Sequence, residues 1–293
     1  MSAIRALLKK MYHRYYRPFK ASREKKRLRK QIIETTLSAN CPFEIEAKLL
    51  RTIDFGNSSM LDVGANVGFY SAALEDVFGP DHVYLFEPLP SLNKGLRDRF
   101  PKSRVFDLAL SNTTGRQKIR VPIIKGTLYD TRATLNDHQE TGQTGAKEVE
   151  INLKPLDDIA DTELDGPVGL IKIDVEGHEL QVIEGAIRTI AKHHPLMLVE
   201  IEARHHHYPI EDIFRKIEGL GYAGYFVSIG EYELKPVALF DQSHDQNPEV
   251  LEAREFSKYL NNFFFVAHEK EAEFSRSVKA TLDMEKARSV EAA

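Results

Sequence analysis

The chain has 293 residues, 42% hydrophobic and 29% charged, which suits one large globular domain with appendages. No apolar run is long enough to span a bilayer. A single cysteine, Cys41, excludes an internal disulfide framework and fits a reducing, cytoplasmic setting. The net charge of −4 conceals a split: residues 1–30 carry twelve Lys/Arg against Glu24 alone, whereas the remainder holds 28 basic and 43 acidic residues.

The first seventeen residues place Ile4, Leu7, Leu8, Met11, Tyr12, Tyr15 and Tyr16 at helical spacing, with Arg5, Lys9, Lys10 and Arg14 on the other face. Pro18 ends the pattern. A basic face backed by an apolar, tyrosine-rich one suits peripheral contact with an anionic membrane, or docking on protein. No nucleic-acid module accompanies the charge, so nucleic acid is not an expected partner. Residues 22–55 read as one or two helices broken near Asn40-Cys41-Pro42, with an apolar stripe in Ile45, Leu49, Leu50 and Ile53.

From residue 60 strands and helices alternate. A strand over 60–64 passes through a Gly-rich turn into a helix over 67–78. Val83–Phe86 is a second strand ending at Glu87-Pro88, and a helix follows to about Arg99. Arg104–Leu110 reads as the third strand. Gln117–Ile123 and Glu148–Leu153 then alternate in period two, which predicts an added antiparallel pair around a polar loop, Gly126–Ala146. The rhythm resumes with a strand over Val168–Asp174, a helix to about Lys192, a strand over Pro195–Glu202 and a helix over 209–220. Tyr222–Ile229, Leu234–Phe240 and Phe263–His268 supply closing strands, and the charged tail from Glu269 reads as solvated helix or disorder. Such alternation predicts an α/β fold on a mostly parallel, doubly wound sheet.

The first turn reads Asp62-x-Gly64-x-Asn66-x-Gly68. A dinucleotide site needs G-x-G-x-x-G, and here Asn66 stands at the second glycine and nothing supplies the third. An acid before the turn sits badly beside a diphosphate and suits a ligand with an ammonium or a sulfonium; Asp62 could equally cap the following helix. Glu87, nineteen residues after Gly68, can accept both hydroxyls of a ribose from the tip of strand two. Asp107, near the end of strand three, could meet an adenine amino group. Together Asp62, Gly64, Asn66, Gly68, Glu87 and Asp107 fit S-adenosyl-L-methionine better than NAD.

Leu61-Asp62-Val63-Gly64-Ala65-Asn66-Val67-Gly68, Phe86-Glu87-Pro88 and Ala109-Leu110-Ser111-Asn112-Thr113-Thr114-Gly115 resemble motifs of the FkbM-type methyltransferases. So do Leu156-Asp157-Asp158, Ile171 to Glu179, Leu198-Val199-Glu200-Ile201 and Asn262 to Val266. The resemblance implies a class I methyltransferase fold, a Rossmann-like sheet of seven strands with an antiparallel last strand. It also implies S-adenosyl-L-methionine, and methylation of a hydroxyl on a sugar, glycan or secondary metabolite. It departs from the family at Asp107, where an amide often precedes the alanine. The chain then divides into a basic, helical extension (1–57), a methyltransferase domain (58–268) with a hairpin insertion, and a charged tail (269–293).

Methyl transfer to a hydroxyl calls for alignment and for a base. The segment Asp174-Val175-Glu176-Gly177-His178-Glu179 ends the fourth parallel strand, and Asp174, Glu176 and His178 are the candidate catalytic residues. Alternation puts Lys172 and Asp174 on one side of that strand, where Lys172 would pair with Asp62, Asp174 or Glu200. Asp174 and Glu200, on adjacent strand tips, could instead hold a divalent cation. His205-His206-His207 reads as a surface loop, because consecutive histidines converge poorly on one ion. The rival readings are a nicotinamide-dependent oxidoreductase and an inactive binding protein on the same fold.

Overall fold

The computed structural model describes residues 45–130, 133–135, 142–228, 230–252 and 259–291. The basic helix of residues 1–17, the break at Cys41 and loop residues such as Arg132 lie outside the described residues.

The main sheet contains β1 (Ser59–Val63), β2 (Val83–Phe86), β3 (Arg104–Phe106), β8 (Val168–Ile173), β9 (Leu196–Glu200), β10 (Tyr222–Val227), β11 (Leu234–Pro236) and β12 (Asn262–Ala267). Its order is β11-β10-β12-β9-β8-β1-β2-β3. β1, β2, β3, β8 and β9 are parallel, and β12 runs antiparallel to both β9 and β10. The antiparallel last strand implied by the resemblance is present as β12, with one difference: the short edge strand β11 makes eight strands rather than seven.

The strands are apolar on both faces because helices cover both. Leu61, Val63, Tyr84, Phe86, Ile171, Ile173, Met197 and Val199 face one core. Met60, Val83, Leu85, Leu170, Leu196 and Leu198 face the other. Period two decides the side of each residue, so Asp62, Lys172, Asp174 and Glu200 all fall on the second face. Asp62 pairs in register with Lys172, and Glu200 with Asn262.

The longer helices are α1 (Ile45–Leu50), α2 (Phe69–Phe78), α3 (Pro90–Arg99), α4 (Glu179–Glu184), α5 (Ile187–His193), α6 (Glu211–Glu218) and α7 (Glu271–Glu291). The charged stretch after Glu269 is neither disordered nor fully solvated. As α7 it buries Phe274, Val278 and Leu282 in the second core with Leu49 and Leu50 of α1. Lys48 meets Glu285 at 3.2 Å between these helices.

A second sheet follows β3. It contains β4 (Ala109–Leu110), β5 (Gly115–Ile124), β6 (Thr127–Leu128) and β7 (Gln143–Lys154), in the order β4-β7-β5-β6. The added antiparallel pair is therefore present and longer than the sequence pattern predicts. The stretch 104–110 is not one strand: after Phe106 the chain leaves the main sheet, and Ala109 pairs with Leu153. Ile119, Val121, Ile151 and Leu153 pack with Leu89 in a small core of their own. They seat the hairpin over the carboxyl ends of β1, β2 and β8.

Candidate functional site

A cleft opens where these strand ends meet the second sheet. Its floor comes from the ends of the main strands: Gly64 and Asn66 after β1, Glu87 after β2, and Asp174, Glu176 and His178 after β8. Its roof comes from the insertion, through Ile119, Asp130, Ala133 and Leu135. Six of the nine residues singled out from sequence for cofactor or catalysis thus converge on one space.

Three do not line it. Asp62 turns toward α2, where the Ser71 N–H donates to its Oδ2 at 3.1 Å and the Ser71 hydroxyl at 2.5 Å. It is 3% exposed and anchors the first turn of α2, the capping role that was the alternative to an ammonium contact. Burial pushes its carboxyl up, against the Ser71 bonds and the nearby Lys172 charge. Gly68 has φ 75°, and a Cβ there would meet Phe100 Cε2 at 2.5 Å, so its small size serves the packing of α3 on α2. Asp107 is 55% exposed on its side chain and pairs with Arg97 at 2.7 Å, away from the cleft lining. Ala109 and Leu110, which continue that segment, reach the cleft instead.

Glu87 is held by geometry. Its Oε2 accepts the Asn66 N–H and its Oε1 the Leu89 N–H, both at 2.9 Å. Each oxygen keeps lone-pair capacity for one more donor. Burial pushes this carboxyl up to about 7 despite those two bonds, and the charges of Asp174 and Asp62 push the same way. Asn66 lies at φ 52°, in the left-handed region. Gly64 has φ 76°, and a Cβ there would fall 1.8 Å from the Asp174 carbonyl oxygen; only glycine lets the β1 and β8 ends approach so closely.

Beneath the β8 turn lies a charged cluster. The Lys172 ammonium, 1% exposed, is 4.0 Å from Asp174 and 3.8 Å from Glu200, and lies 5.1 Å from the centre of the Tyr70 ring. Burial and the Asp174 charge hold the Glu200 carboxyl well above the usual carboxylate range. Burial also raises Asp174, against the Lys172 charge. The two acids thus flank an ammonium. No group of three His, Cys, Asp or Glu among the described residues is arranged to hold a metal ion.

The histidines depart most from expectation. His205 is not on the surface: its side chain is 4% exposed and its Nε2 lies 3.2 Å from Glu176 Oε2. The His206 side chain is fully buried, with Nε2 3.1 Å from Glu179 Oε2. Only His207 is exposed. No local pattern marks this pairing, since the partners lie almost thirty residues earlier in the chain; Glu176 and Glu179 at i, i+3 followed by adjacent histidines was the one available hint. His178, the third candidate base, lies 2.9 Å from the Ser111 hydroxyl, and burial pushes its imidazole down.

The Methyltransferase FkbM domain matches residues 62–225, which carry every cleft residue named above. The chain belongs to the FkbM methyltransferase family. It is 29% identical over 157 residues to the methyltransferase sdnD of Sordaria araneosa, covering 44% of this chain and 60% of that protein. The chain thus spans about three fifths of that curated relative. Among solved structures it is similar to the FkbM methyltransferase of Methylobacillus flagellatus, at 20% identity and a TM-score of 0.43 over 71% of this chain and 43% of that one. It is also similar to Aeropyrum pernix fibrillarin with natively bound S-adenosyl-L-methionine, at 16% identity and a TM-score of 0.38 over 78% and 76% of the two chains.

Proposed function

We propose that this protein transfers a methyl group from S-adenosyl-L-methionine to a hydroxyl of a sugar, glycan or secondary-metabolite acceptor. The observation that carries the reading is Glu87: a buried carboxylate in the cleft, both oxygens fixed by backbone N–H groups. A vicinal diol matches that arrangement, one hydroxyl to each oxygen. The donor set therefore fits the cofactor's ribose, and family membership supplies the rest.

Asn66 and Gly64 would border the cofactor on the β1 side, and Asp174 on the β8 side. The cofactor, when bound, supplies an electrophilic methyl group on a sulfonium. The protein's part is to exclude water beneath the roof of Ile119, Ala133 and Leu135, to orient the acceptor and to take its proton. Asp174 is the candidate for orienting the acceptor or the cofactor's ammonium; Glu176 and His178 are the candidate bases.

Isothermal calorimetry with S-adenosylhomocysteine tests the cofactor. Micromolar binding that weakens about a hundredfold in Glu87→Ala is expected, since two bonds to a charged acceptor are lost. No binding, or equal binding by the variant, overturns the assignment. Labelled cofactor offered with a panel of glycans, glycosides and lipids tests the acceptor class.

The basic segment 1–30 supports a peripheral role at anionic membranes. No helix among the described residues is long and apolar enough to cross a bilayer. Sedimentation with phosphatidylserine vesicles should show binding that falls steeply with salt and disappears without residues 1–30. Equal binding by the truncated chain overturns this role.

A further inference from the structure

Three cleft side chains could receive the acceptor's proton, and each has a partner behind it. Asp174 belongs to the Lys172–Glu200 cluster, 4.0 Å from the ammonium. The His178 imidazole is tied to Ser111 at 2.9 Å. Glu176 differs in its backbone and in what lies behind it. Its φ is 54°, in the left-handed region that a side chain of this size rarely adopts. The Thr134 hydroxyl, from the roof, donates to its main-chain carbonyl at 2.7 Å and fastens it there. Its carboxylate lines the cleft, while Oε2 lies 3.2 Å from the buried Nε2 of His205.

We propose that His205 is a positioning residue for Glu176, holding its carboxylate at the cleft wall as the base that receives the acceptor's hydroxyl proton. The inference rests on the methyl-transfer reading above. As the acceptor oxygen gains its bond to the methyl carbon, its O–H bond breaks and the proton passes to Glu176. The electron pair of the broken carbon–sulfur bond stays on sulfur, so the sulfonium charge and the carboxylate charge disappear together. A carboxylate on a flexible stem is a poor base unless its orientation is fixed. Here the left-handed backbone sets the stem from one side, and the imidazole stands 3.2 Å from its tip on the other. The charged neighbours are Asp174, His178 and Glu179 on the same turn, Glu200 acting on Glu176, and Glu202 and Arg204 beside His205. The Glu202 carboxyl is held below its ordinary range: burial opposes this, and the Arg204 bond and charge, with His205, outweigh it.

Two measurements on the full chain test the proposal. The first is an NMR titration of the His205 ring in the wild type and in Glu176→Gln. Removing the neighbouring carboxylate should lower the ring's midpoint by about one unit, because an opposite charge at that distance favours the charged imidazole. An unchanged midpoint overturns the pairing, whatever the acceptor. The second is a pH–rate profile with labelled S-adenosyl-L-methionine and a panel of methyl glycosides. His205→Phe should lower kcat at least tenfold and move the acid limb to higher pH, with S-adenosylhomocysteine affinity within twofold of wild type. His205→Gln, which keeps an N–H donor, should recover part of the rate. An unaltered kcat and acid limb in His205→Phe overturns the role. A wild type that binds S-adenosylhomocysteine yet methylates no glycoside overturns the acceptor reading instead, and the titration then decides the pair.

Discussion

The turns after β1 and β8 lie side by side, with Gly64 packed against the Asp174 carbonyl, yet their polar groups face different ways. After β1, Asp62 faces back to Ser71, and the N–H groups of Gly64 and Ala65 both go to the Phe86 carbonyl. Gly68 serves the packing of Phe100. After β8, Asp174, Glu176 and His178 all reach the cleft, each with a buried partner behind it: Lys172, His205 and Ser111. The lesson is a division of labour. The Gly-rich turn, which draws the eye in the sequence, mainly builds the frame, and the acidic turn beside it presents the chemistry.

The largest effect that could break this comparison is at Gly64. Gly64→Ala puts a methyl group 1.8 Å from a backbone oxygen at φ 76°, and should cost about 3 kcal/mol or more. Gly95→Ala, in α3 with nothing within 4 Å of its Cβ, should stabilise by about 0.5–1 kcal/mol. Thermal unfolding distinguishes them, and a small effect at Gly64 would mean the two strand ends can separate.

Next comes the pH dependence of Glu87, whose carboxyl is raised to about 7. The folded apoprotein holds a proton that the unfolded chain releases near 4.5, so this group's contribution to stability falls as pH rises from about 4.5 to 7. A ribose diol prefers the ionised form, so S-adenosylhomocysteine affinity should move the other way, rising about tenfold from pH 6 to 8. Calorimetry across that range should find this rise absent in Glu87→Gln. A flat wild-type profile would remove Glu87 from the ligand's contacts.

The smallest effect sharpens the boundary between frame and site. Ser71→Ala removes the hydroxyl donor to Asp62, leaves the Ser71 N–H, and should cost about 1 kcal/mol, with cofactor affinity within twofold. A tenfold loss of affinity would bring Asp62 into the ligand site after all.

Much of this was legible from pattern. The two-residue period of Leu170, Lys172 and Asp174 correctly puts an ammonium between strand-end acids, because a buried strand leaves each side chain only one face. Glu87 was legible because its position depends on one strand end alone. What was not legible depends on partners distant in sequence. Asp107 is one residue beyond the end of β3, where the chain leaves the main sheet to pair Ala109 with Leu153 on β7. The burial of His205 and His206 follows from Glu176 and Glu179, and a run of three histidines carries no local sign of it. Likewise, α7 looks like a solvated tail until α1 supplies the apolar surface for Phe274 and Leu282.

The pairing of β1 with β8 has a consequence for how the chain acquires its shape. Asp62 finds Lys172 as its neighbour only after on the order of a hundred intervening residues have emerged. Until then β1 presents an open strand edge, with Asp62 and Ser59 among its apolar residues, and the hairpin of β5 and β7 can form beside it from its own local pairings. Pairing of β8 with β1 therefore carries a loop-closure cost that the local pairing of β5 with β7 does not.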